Sequence, residues 1–495
     1  MSQVDELDPK RWMALALVGT AFFMTVLDVS IVNVALPTIQ AKLHFSDTNL
    51  QWVITAYAIT FGGLLLLGGR AADLLGRRRV FLGGLALFTA ASLLAGLSQT
   101  DVMLIIVRAV QGAGAAILAP ASLSIVADTF PEGADRNKAL GIYGALAGSG
   151  AAVGVLLGGV LTSYAGWEWI FFINVPVGVL VFLFTPPYVR ESRLATDHRT
   201  YDPWGALTIT ASLILLVYGI SKAPTVGWSS AQVIGCLVGF AVLLVASLVI
   251  ESRSAHPLLR LGIFRVGTVS GANVVGFMLN ASLICMFFLL TLYVQQILHY
   301  SAIKAGLAFL ATAGTAVVAA GAAQALVTRF GVRPVLVTGM VLMAVGQFLF
   351  TRIPVNGSFV SDLLAGYLLV GIGIGFAYVP VSIAALGGVS ADETGLASGL
   401  INTSQQVGGA IGVAVASTVF VQRANHLLAV MHAHVTTSYE PDDLAKAFTS
   451  GYRLAFWVVA FAAAVAGALA AIVMIRGPVA DTLAEPTPLE VPERG

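Results

Sequence analysis

A single carboxylate, Asp28, lies inside a hydrophobic run that begins at Trp12 and extends to about Leu36. This run is long enough to form a membrane-spanning helix, which needs ~20 apolar residues. An aspartate near the centre of such a helix costs roughly 2.5–3.5 kcal/mol on insertion scales, and ionisable groups at this depth usually serve a function. We therefore predict that Asp28 carries a proton. The alternative is that it only forms a hydrogen bond that fixes helix packing.

Arg108 is a second charged residue predicted at the same depth. Pro37 and Asp101 mark the outer ends of the two spans, and Asp28 and Arg108 lie a similar number of residues inside these ends. At 1.5 Å per helical residue, both side chains are then roughly 10–14 Å below the outer surface. If their helices are neighbours, a change in the distance between the two groups changes the proton affinity of the carboxyl group. The pair is thus a candidate switch between protonation and conformation. A static ion pair that joins two helices is the other interpretation.

Composition identifies the class of protein. The chain of 495 residues is 58% hydrophobic and only 10% charged, with a mean hydropathy of +0.89. Soluble domains contain about 25% charged residues, so the chain is predicted to be a polytopic membrane protein. Its net charge of +1 gives no indication of a nucleic-acid partner. Cys236 and Cys285 both lie in apolar runs, which argues against a disulfide framework or a cysteine-rich metal site.

The sequence offers no chemical energy source. It contains no G-x-x-x-x-G-K-[ST] phosphate-binding loop and no evident set of nucleophile, base and orienting residue, so neither a nucleotide-driven pump nor an enzyme is predicted, and no cofactor is expected. An ion gradient remains as the driving force. Because Asp28 is the one acidic residue that we place deep in a span, we expect one proton per cycle and better handling of neutral or monocationic substrates than of dications.

Apolar windows predict an all-α membrane protein with fourteen spans. The windows are 12–36, 50–69, 80–98, 102–128, 137–163, 167–187, 204–221, 231–250, 268–297, 304–328, 334–351, 359–386, 396–421 and 454–475. Of the 26 Lys and Arg residues, eighteen fall in connections on one side and seven on the other. The positive-inside rule then places the basic side and both termini in the cytoplasm.

An internal repeat suggests two related halves. The segment Gly69–Arg79, after the second span, resembles the segment Gln324–Pro334, after the tenth, and aligning Gly331 with Gly76 puts Thr328 where Asp73 stands. Parallel repeats of this kind are typical of transporters. We predict a six-helix bundle over 1–200, a two-helix hairpin over 201–265, a second six-helix bundle over 266–480 and a disordered tail over 481–495.

The segment Gly69–Arg79 resembles the signature cytoplasmic loop of the major facilitator superfamily. Other stretches are similar to its fourteen-span drug:proton antiporters; they are Leu27–Pro37, Arg108–Gly114, Gly166–Gly178 and Ser404–Ala410. Two positions depart from the pattern, since Val155 stands where proline is usual and Glu168 where arginine is common.

The resemblance implies a proton-coupled antiporter of the plasma (inner) membrane that exports lipophilic drugs or antibiotics by alternating access. In this interpretation Asp28 is the proton carrier and Arg108 its modulator, and the chain works as a monomer. A proton-coupled uptake symporter shares the same fold-level features, and a non-transporting membrane receptor is a third interpretation.

The Gly69–Arg79 segment is predicted to act as a conformational latch. Gly69 and Gly76 permit a tight interhelical turn, and Asp73 can face the N-terminal end of span thirteen near Thr394. Arg77 or Arg78 is expected to pair with Asp128 at the end of span four. The same arginines also serve as topology determinants.

A substrate site is expected near the midplane between the halves, with aromatic and uncharged polar side chains. Each candidate has an alternative role in an interhelical hydrogen bond. The candidates are Asn33, Gln51, Trp52, Tyr57, Gln111, Asn280, Tyr378, Asn402 and Gln405. The outer connection 424–452 contains several histidines and acids; a metal site is conceivable there, but a solvated amphipathic segment is the favoured interpretation.

Overall fold

The chain folds into long helices that run back and forth between two ends of the molecule. The computed structural model describes residues 10–45, 50, 52–131, 133–192, 203–253, 261–265, 267–390, 393–432 and 441–473. The first eight helices are α1 (Arg11–Leu43), α2 (Trp52–Leu75), α3 (Arg77–Gly96), α4 (Asp101–Thr129), α5 (Ala134–Tyr164), α6 (Trp169–Phe172 and Asn174–Tyr188), α7 (Pro203–Val226) and α8 (Ala231–Arg253).

The later helices follow a short 3₁₀ turn at Leu261–Arg265. They are α9 (Gly267–Gln296), α10 (Ala302–Phe330), α11 (Val332–Phe350), α12 (Leu364–Leu386, after a π turn at Phe359–Leu363), α13 (Thr394–His432) and α14 (Pro441–Val473). No β-strand occurs within the described ranges. The predicted all-α class therefore holds for this part of the chain.

Twelve of the helices are long and apolar enough to cross a membrane, counting only described residues. Helices α5 and α7 contribute shorter apolar stretches, Val153–Tyr164 and Leu207–Ile220. The structure thus supports a helical membrane protein with twelve candidate spans, and the predicted number of fourteen is not confirmed.

Three predicted boundaries differ from the structure. Helix α1 continues through Pro37 to Leu43, and α13 and α14 extend to His432 and from Pro441. The connection 424–452 is therefore largely helical where described, and the solvated amphipathic segment stays a prediction; residues 433–440 lie outside the described ranges. A hydropathy window ends a predicted span where polar residues begin. The helix itself continues into water, because its backbone hydrogen bonds do not depend on apolar side chains.

Two one-residue turns match the predicted repeat. Gly76 separates α2 from α3 with φ of 106°, and Gly331 separates α10 from α11 with φ of 84°. Positive φ is accessible to glycine at little cost because it has no Cβ. The two glycines that align in sequence therefore make the same sharp reversal, and both reversals lie at the same end of the helices.

Close backbone contacts join the first six helices, α1 to α6, to the last six, α9 to α14. A Cβ on Gly69 of α2 would lie 2.4 Å from the carbonyl oxygen of Gly395 in α13, and one on Gly306 of α10 would lie 2.9 Å from Cα of Leu156 in α5. Small residues permit such approaches between helices in a membrane. The second helix of each six-helix set therefore packs on the fifth helix of the other set.

The hairpin of α7 and α8 packs against the rest through α7. A Cβ on Gly63 of α2 would lie 2.5 Å from Cγ1 of Ile214 in α7. Beyond α7, the Trp228 indole Nε1 donates a hydrogen bond of 2.8 Å to Thr418 Oγ1 of α13. Helix α7 contacts both α2 and α13.

Candidate functional site

An ion pair joins α1 to α4 inside the first six helices. The Arg108 Nη1 donates to Asp28 Oδ2 at 2.5 Å, and both side chains are buried, with 1% and 0% of their surface exposed. The two residues, which the helical rise predicted to lie at a similar depth, are therefore in direct contact. Breaking such a buried pair by removing one partner typically costs about 3–5 kcal/mol, since the other charge is left uncompensated.

Gln111 completes a closed polar ring with this pair. Its Oε1 accepts a hydrogen bond of 2.8 Å from Arg108 Nη1, while its Nε2 donates to Asp28 Oδ1 at 2.9 Å. Residues three apart on a helix lie on one face, so Arg108 and Gln111 reach α1 together. Both carboxylate oxygens of Asp28 therefore accept hydrogen bonds from α4.

Helix α2 provides a further side of the site. Arg108 Nε donates to the Val53 carbonyl oxygen at 3.0 Å, and its guanidinium carbon lies 4.3 Å from the centre of the Tyr57 ring. Gly112 permits this approach, because a Cβ there would lie 2.4 Å from the Tyr57 carbonyl oxygen. The arginine is held by a charge, a carbonyl and an aromatic face, which fixes its orientation.

Helices α3 and α6 extend the hydrogen bonds away from the ion pair. Ser92 Oγ accepts 2.7 Å and 3.0 Å hydrogen bonds from Gln111 Nε2 and from Asn174 Nδ2. Asn174 follows the interruption of α6 at Ile173. The sequence interpretation missed Ser92 altogether, since a single serine in an apolar span carries no signal of its partners.

This arrangement can hold a carboxylate in the apolar interior as a neutralised and fully hydrogen-bonded group. A proton that binds to Asp28 would remove the charge that Arg108 compensates. The guanidinium would then have to find another acceptor or move toward water, because a buried unpaired charge is costly. A change in the protonation of this group would therefore change the contact that holds α1 to α4.

The Tyr57 hydroxyl makes no hydrogen bond to the described residues, although it is buried. We therefore expect Tyr57→Phe to change the free energy of unfolding by less than ~0.5 kcal/mol, since no bond is lost. Tyr57→Leu removes the ring that faces Arg108 and is expected to cost about 2 kcal/mol, the value for a desolvated cation–π contact. Thermal unfolding of the two purified variants checks this; equal losses would show that the hydroxyl is bonded.

The residues predicted to form the latch lie at the opposite end of α2 from Val53. Asp73 is buried, and its carboxylate accepts hydrogen bonds from the backbone nitrogens of Gly395 at 3.0 Å and Leu396 at 3.1 Å, in the first turn of α13. A carboxylate is favourable there because the first backbone N–H groups of a helix have no partner within it and carry partial positive charge.

The two predicted arginine partners have different contacts. Arg77 Nη1 donates to Asp128 at 2.5 Å, and its Nη2 lies 3.6 Å from Asp73. Arg78 instead donates from Nη1 to the carbonyl oxygens of Pro186 and Val189, and its Nε lies 3.7 Å from Glu191. Of the two arginines that we considered for Asp128, the structure therefore places Arg77 there.

The predicted substrate residues fall into separate groups. Tyr57 and Gln111 belong to the site around Asp28. Tyr378 donates a 2.8 Å hydrogen bond to Asn280 between α12 and α9, and Asn402 donates to the Ser398 carbonyl of its own helix. The first hydrogen bond joins two helices and the second lies within one helix. In both cases the polar group is already occupied and is not available to a ligand in this conformation.

The remaining candidates lie on more open surfaces. Asn33 is exposed and donates to the Val29 carbonyl of its own helix, and Gln405 is half-buried on α13. Trp52 stacks on Tyr218 of α7, with Lys222 4.8 Å from its ring centre. Gln51 lies outside the described residues. No group of three or more metal-ligating side chains was found among the described residues.

The chain is similar to known membrane transporters along most of its length. The family model described as Major Facilitator Superfamily matches residues 18–413 and 273–492. The puromycin resistance protein pur8 of Streptomyces alboniger is 40% identical over 415 residues, which cover 83% of this chain and 82% of that protein. The cephamycin export protein CmcT of Amycolatopsis lactamdurans is 39% identical over 409 residues, which cover 82% of this chain and 84% of that protein.

A solved structure has the same fold. The human organic anion transporter MFSD10 (TETRAN) superposes with a TM-score of 0.66 over 94% of this chain and 100% of that one, at 15% sequence identity. At this identity the likeness concerns the fold alone. The family match and the two relatives at higher identity show that the chain belongs to the Major Facilitator Superfamily.

Proposed function

We propose that the chain is a fourteen-span antiporter that exports lipophilic small molecules of the antibiotic class in exchange for protons. The observation that carries this proposal is the fully buried ring of Asp28, Arg108 and Gln111, in which two of the three hydrogen bonds end on one carboxylate. The names of two relatives, a resistance protein for puromycin and an export protein for cephamycin, support the class of substrate.

In the proposed cycle, Asp28 alternates between two states. While it is ionised, Arg108 and Gln111 bind it and α1 is held against α4. When a proton from outside binds, Arg108 is released, α1 is free to move, and the opposite end of the molecule opens to bind the next substrate. A ligand or proton shifts such an equilibrium only through its different affinity for the two states, and the ion pair supplies that difference.

The proposed orientation places the Asp73 end in the cytoplasm, with both termini there, as the distribution of Lys and Arg indicates. In the described conformation this end is closed, since Asp73 bonds to Gly395 and Leu396 across the two halves. We assign it to the state in which substrate leaves to the outside, with Gly69, Asp73, Gly76, Arg77 and Asp128 as the latch.

The substrate is proposed to bind between the halves, at the more open of the predicted residues. Asn33, Trp52 and Gln405 are the described candidates that are not buried, and Asn280, Tyr378 and Asn402 become candidates if their present hydrogen bonds exchange for ligand contacts. A pocket of few polar groups and many apolar ones suits lipophilic molecules of different shapes. A monomer in the inner membrane is sufficient for this cycle.

The test is substrate-triggered proton release from protein reconstituted in lipid vesicles, with puromycin as the first probe. Wild type is expected to release protons on substrate addition and to export substrate along an imposed proton gradient, whereas Asp28→Asn is expected to do neither. Asp443→Asn is the matched control, because the ion pair of Asp443 among the described residues is a 3.6 Å contact with Lys446, which is mostly exposed at the start of α14. Gradient-driven export by Asp28→Asn at the wild-type rate would refute the proposal, and substrate entry together with protons would establish the uptake symporter.

A further inference from the structure

Phe171 of α6 is a neighbour of Arg108 that belongs to neither α1 nor α4. The guanidinium carbon of Arg108 lies 5.8 Å from the centre of the Phe171 ring, within the ~6 Å over which an aromatic face attracts a cation. The Phe171 ring is fully buried and packs edge to face with Trp167, with 6.2 Å between the ring centres. Arg108 therefore has aromatic neighbours on two helices, since the Tyr57 ring of α2 lies 4.3 Å from it.

The contacts of Arg108 are distributed unequally among the helices. Among its ion-pair, hydrogen-bond and ring contacts with described residues, only the one to Asp28 reaches α1. The others go to Val53 and Tyr57 of α2, to Gln111 of its own helix and to Phe171 of α6. A proton on Asp28 therefore removes the one attraction that reaches α1 and leaves the contacts with α2, α4 and α6 in place.

Close packing within the first six helices divides them along the same line. A Cβ on Gly154 of α5 would lie 2.8 Å from the Leu27 carbonyl oxygen of α1. A Cβ on Gly84 of α3 would lie 2.9 Å from the Leu118 nitrogen of α4, and Gly178 of α6 is packed at least as closely on α3. Such approaches need small residues. Helix α1 is thus packed on α5, while α2, α3, α4 and α6 pack on one another, and the ion pair lies between the two groups.

We propose that Phe171 is a positioning residue of the proton site: together with the Tyr57 ring, it keeps the Arg108 guanidinium on α2, α4 and α6 when Asp28 binds a proton. Helix α1 is then the element that separates, and α5 moves with it. Because α5 packs on α10 of the second half, the loss of one charge at Asp28 moves a helix at the contact between the halves. The proposal rests on the proposed proton exchange and identifies the helices that move in it.

The two rings act most strongly in the protonated state. The face of an aromatic ring carries negative charge density, so it attracts a cation and repels an anion. While Asp28 is ionised, its charge offsets part of the attraction between the rings and Arg108. Once Asp28 is neutral, the cation is unopposed, and the rings hold it together with the Val53 carbonyl oxygen and Gln111.

The first test is a set of unfolding measurements in which Asp28→Asn stands for the protonated site. Phe171→Leu is expected to lower the unfolding temperature about twice as much in the Asp28→Asn chain as in the Asp28→Asn/Arg108→Leu chain, because the latter has no cation for the ring to hold. In the wild-type chain the loss is expected to be intermediate. Phe171→Tyr keeps the ring, and its cost is expected to be the same in all three chains.

Phe350→Leu is the matched control. Phe350 is fully buried in α11, where its ring contacts those of Tyr367 and Phe456, and its loss is expected to cost the same in the three chains. Equal costs of Phe171→Leu in the three chains would overturn the proposal. Normal export by Asp28→Asn would instead refute the proposed function and leave these unfolding measurements unaffected, because they involve neither substrate nor gradient.

The groups that face Asp28 limit what else can change its proton binding. Among the described residues, the titratable and charged groups that act on it are Arg108 of α4 and Tyr57 of α2. Helix α6 faces it with the neutral Asn174, and α5 meets α1 there with glycines. Phe171→Leu alters none of these groups directly, so a change in proton binding would report the missing ring.

The second measurement follows the proton itself. The infrared band of a protonated carboxyl group, assigned to Asp28 by its loss in Asp28→Asn, is recorded against pH in the purified protein. The ring stabilises the protonated state more than the ionised one, so Phe171→Leu is expected to weaken proton binding about three- to tenfold and to move the midpoint of the band to lower pH by about 0.5–1 unit. Phe350→Leu is expected to leave the midpoint in place. An unchanged or higher midpoint in Phe171→Leu would contradict the proposal.

Discussion

Arg108→Ala is expected to lower the free energy of unfolding by about 3–5 kcal/mol, because it leaves the carboxylate of Asp28 buried without its counter-charge. The loss is large for this one side chain, which also makes the hydrogen bond to Val53 and the contact with the Tyr57 ring. Thermal unfolding of the detergent-purified protein, followed by tryptophan fluorescence, measures it. Gradient-driven export is expected to be abolished in the same variant.

The double variant Asp28→Asn/Arg108→Leu shows whether the loss comes from the unpaired charge. Removing both charges leaves no ion to desolvate, and replacing a buried pair by neutral groups is often neutral or stabilising. We therefore expect the double variant to unfold close to the wild-type temperature and yet to remain inactive in export. If Arg108→Ala is as stable as wild type, or if the double variant is less stable than either single variant, the carboxylate is not held by this arginine.

Gly69→Ala is expected to shift the protein out of the described conformation by roughly 5- to 150-fold, the equivalent of an overpacking cost of about 1–3 kcal/mol. The added Cβ would lie 2.4 Å from the carbonyl oxygen of Gly395, and both partners are backbone positions that cannot rotate away. Helices α2 and α13 must then separate at this end.

A cross-link across the other contact between the halves reports this shift. Asn137 Nδ2 of α5 and Thr328 Oγ1 of α10 are 3.4 Å apart, so Asn137→Cys/Thr328→Cys, in a chain with Cys236 and Cys285 replaced by alanine, is expected to be joined by a short thiol-reactive cross-linker in the closed conformation. Gly69→Ala should reduce its yield strongly. Gly83→Ala is the control, because a Cβ at exposed Gly83 meets no heavy atom within 4 Å. Equal yields in the two variants would show that Gly69 is not at a closure contact.

The sequence indicated the charged centre because rare residues are informative in a membrane. An aspartate and an arginine inside apolar spans can be compared by depth from the helical rise alone, and the structure places Asp28 and Arg108 in contact. The turns at Gly76 and Gly331 could be predicted for a related reason, since the two glycines align between apolar runs and glycine adopts positive φ at little cost.

Neutral polar residues could not be assigned a role from the sequence in this way. Gln111 looked like a substrate ligand, but whether a glutamine bonds to a neighbour or to a ligand depends on the partner that the packing brings to it, and here it completes the ring around Asp28. Ser92 and the Val53 carbonyl escaped notice because serine and backbone groups occur everywhere. The extensions of α13 and α14 were missed because they are helical without being apolar.

The two contacts that close the Asp73 end are chemically unequal. At the α2 and α13 side, an ionised group bonds to two backbone amides, whereas at the corresponding α10 and α5 side a threonine and an asparagine share one bond of 3.4 Å. Charge-assisted bonds are roughly twice as strong as neutral ones. In the proposed transport cycle, the Asp73 end is therefore expected to open first beside Thr328 and to pivot near Asp73, so that substrate enters from one side of the molecule.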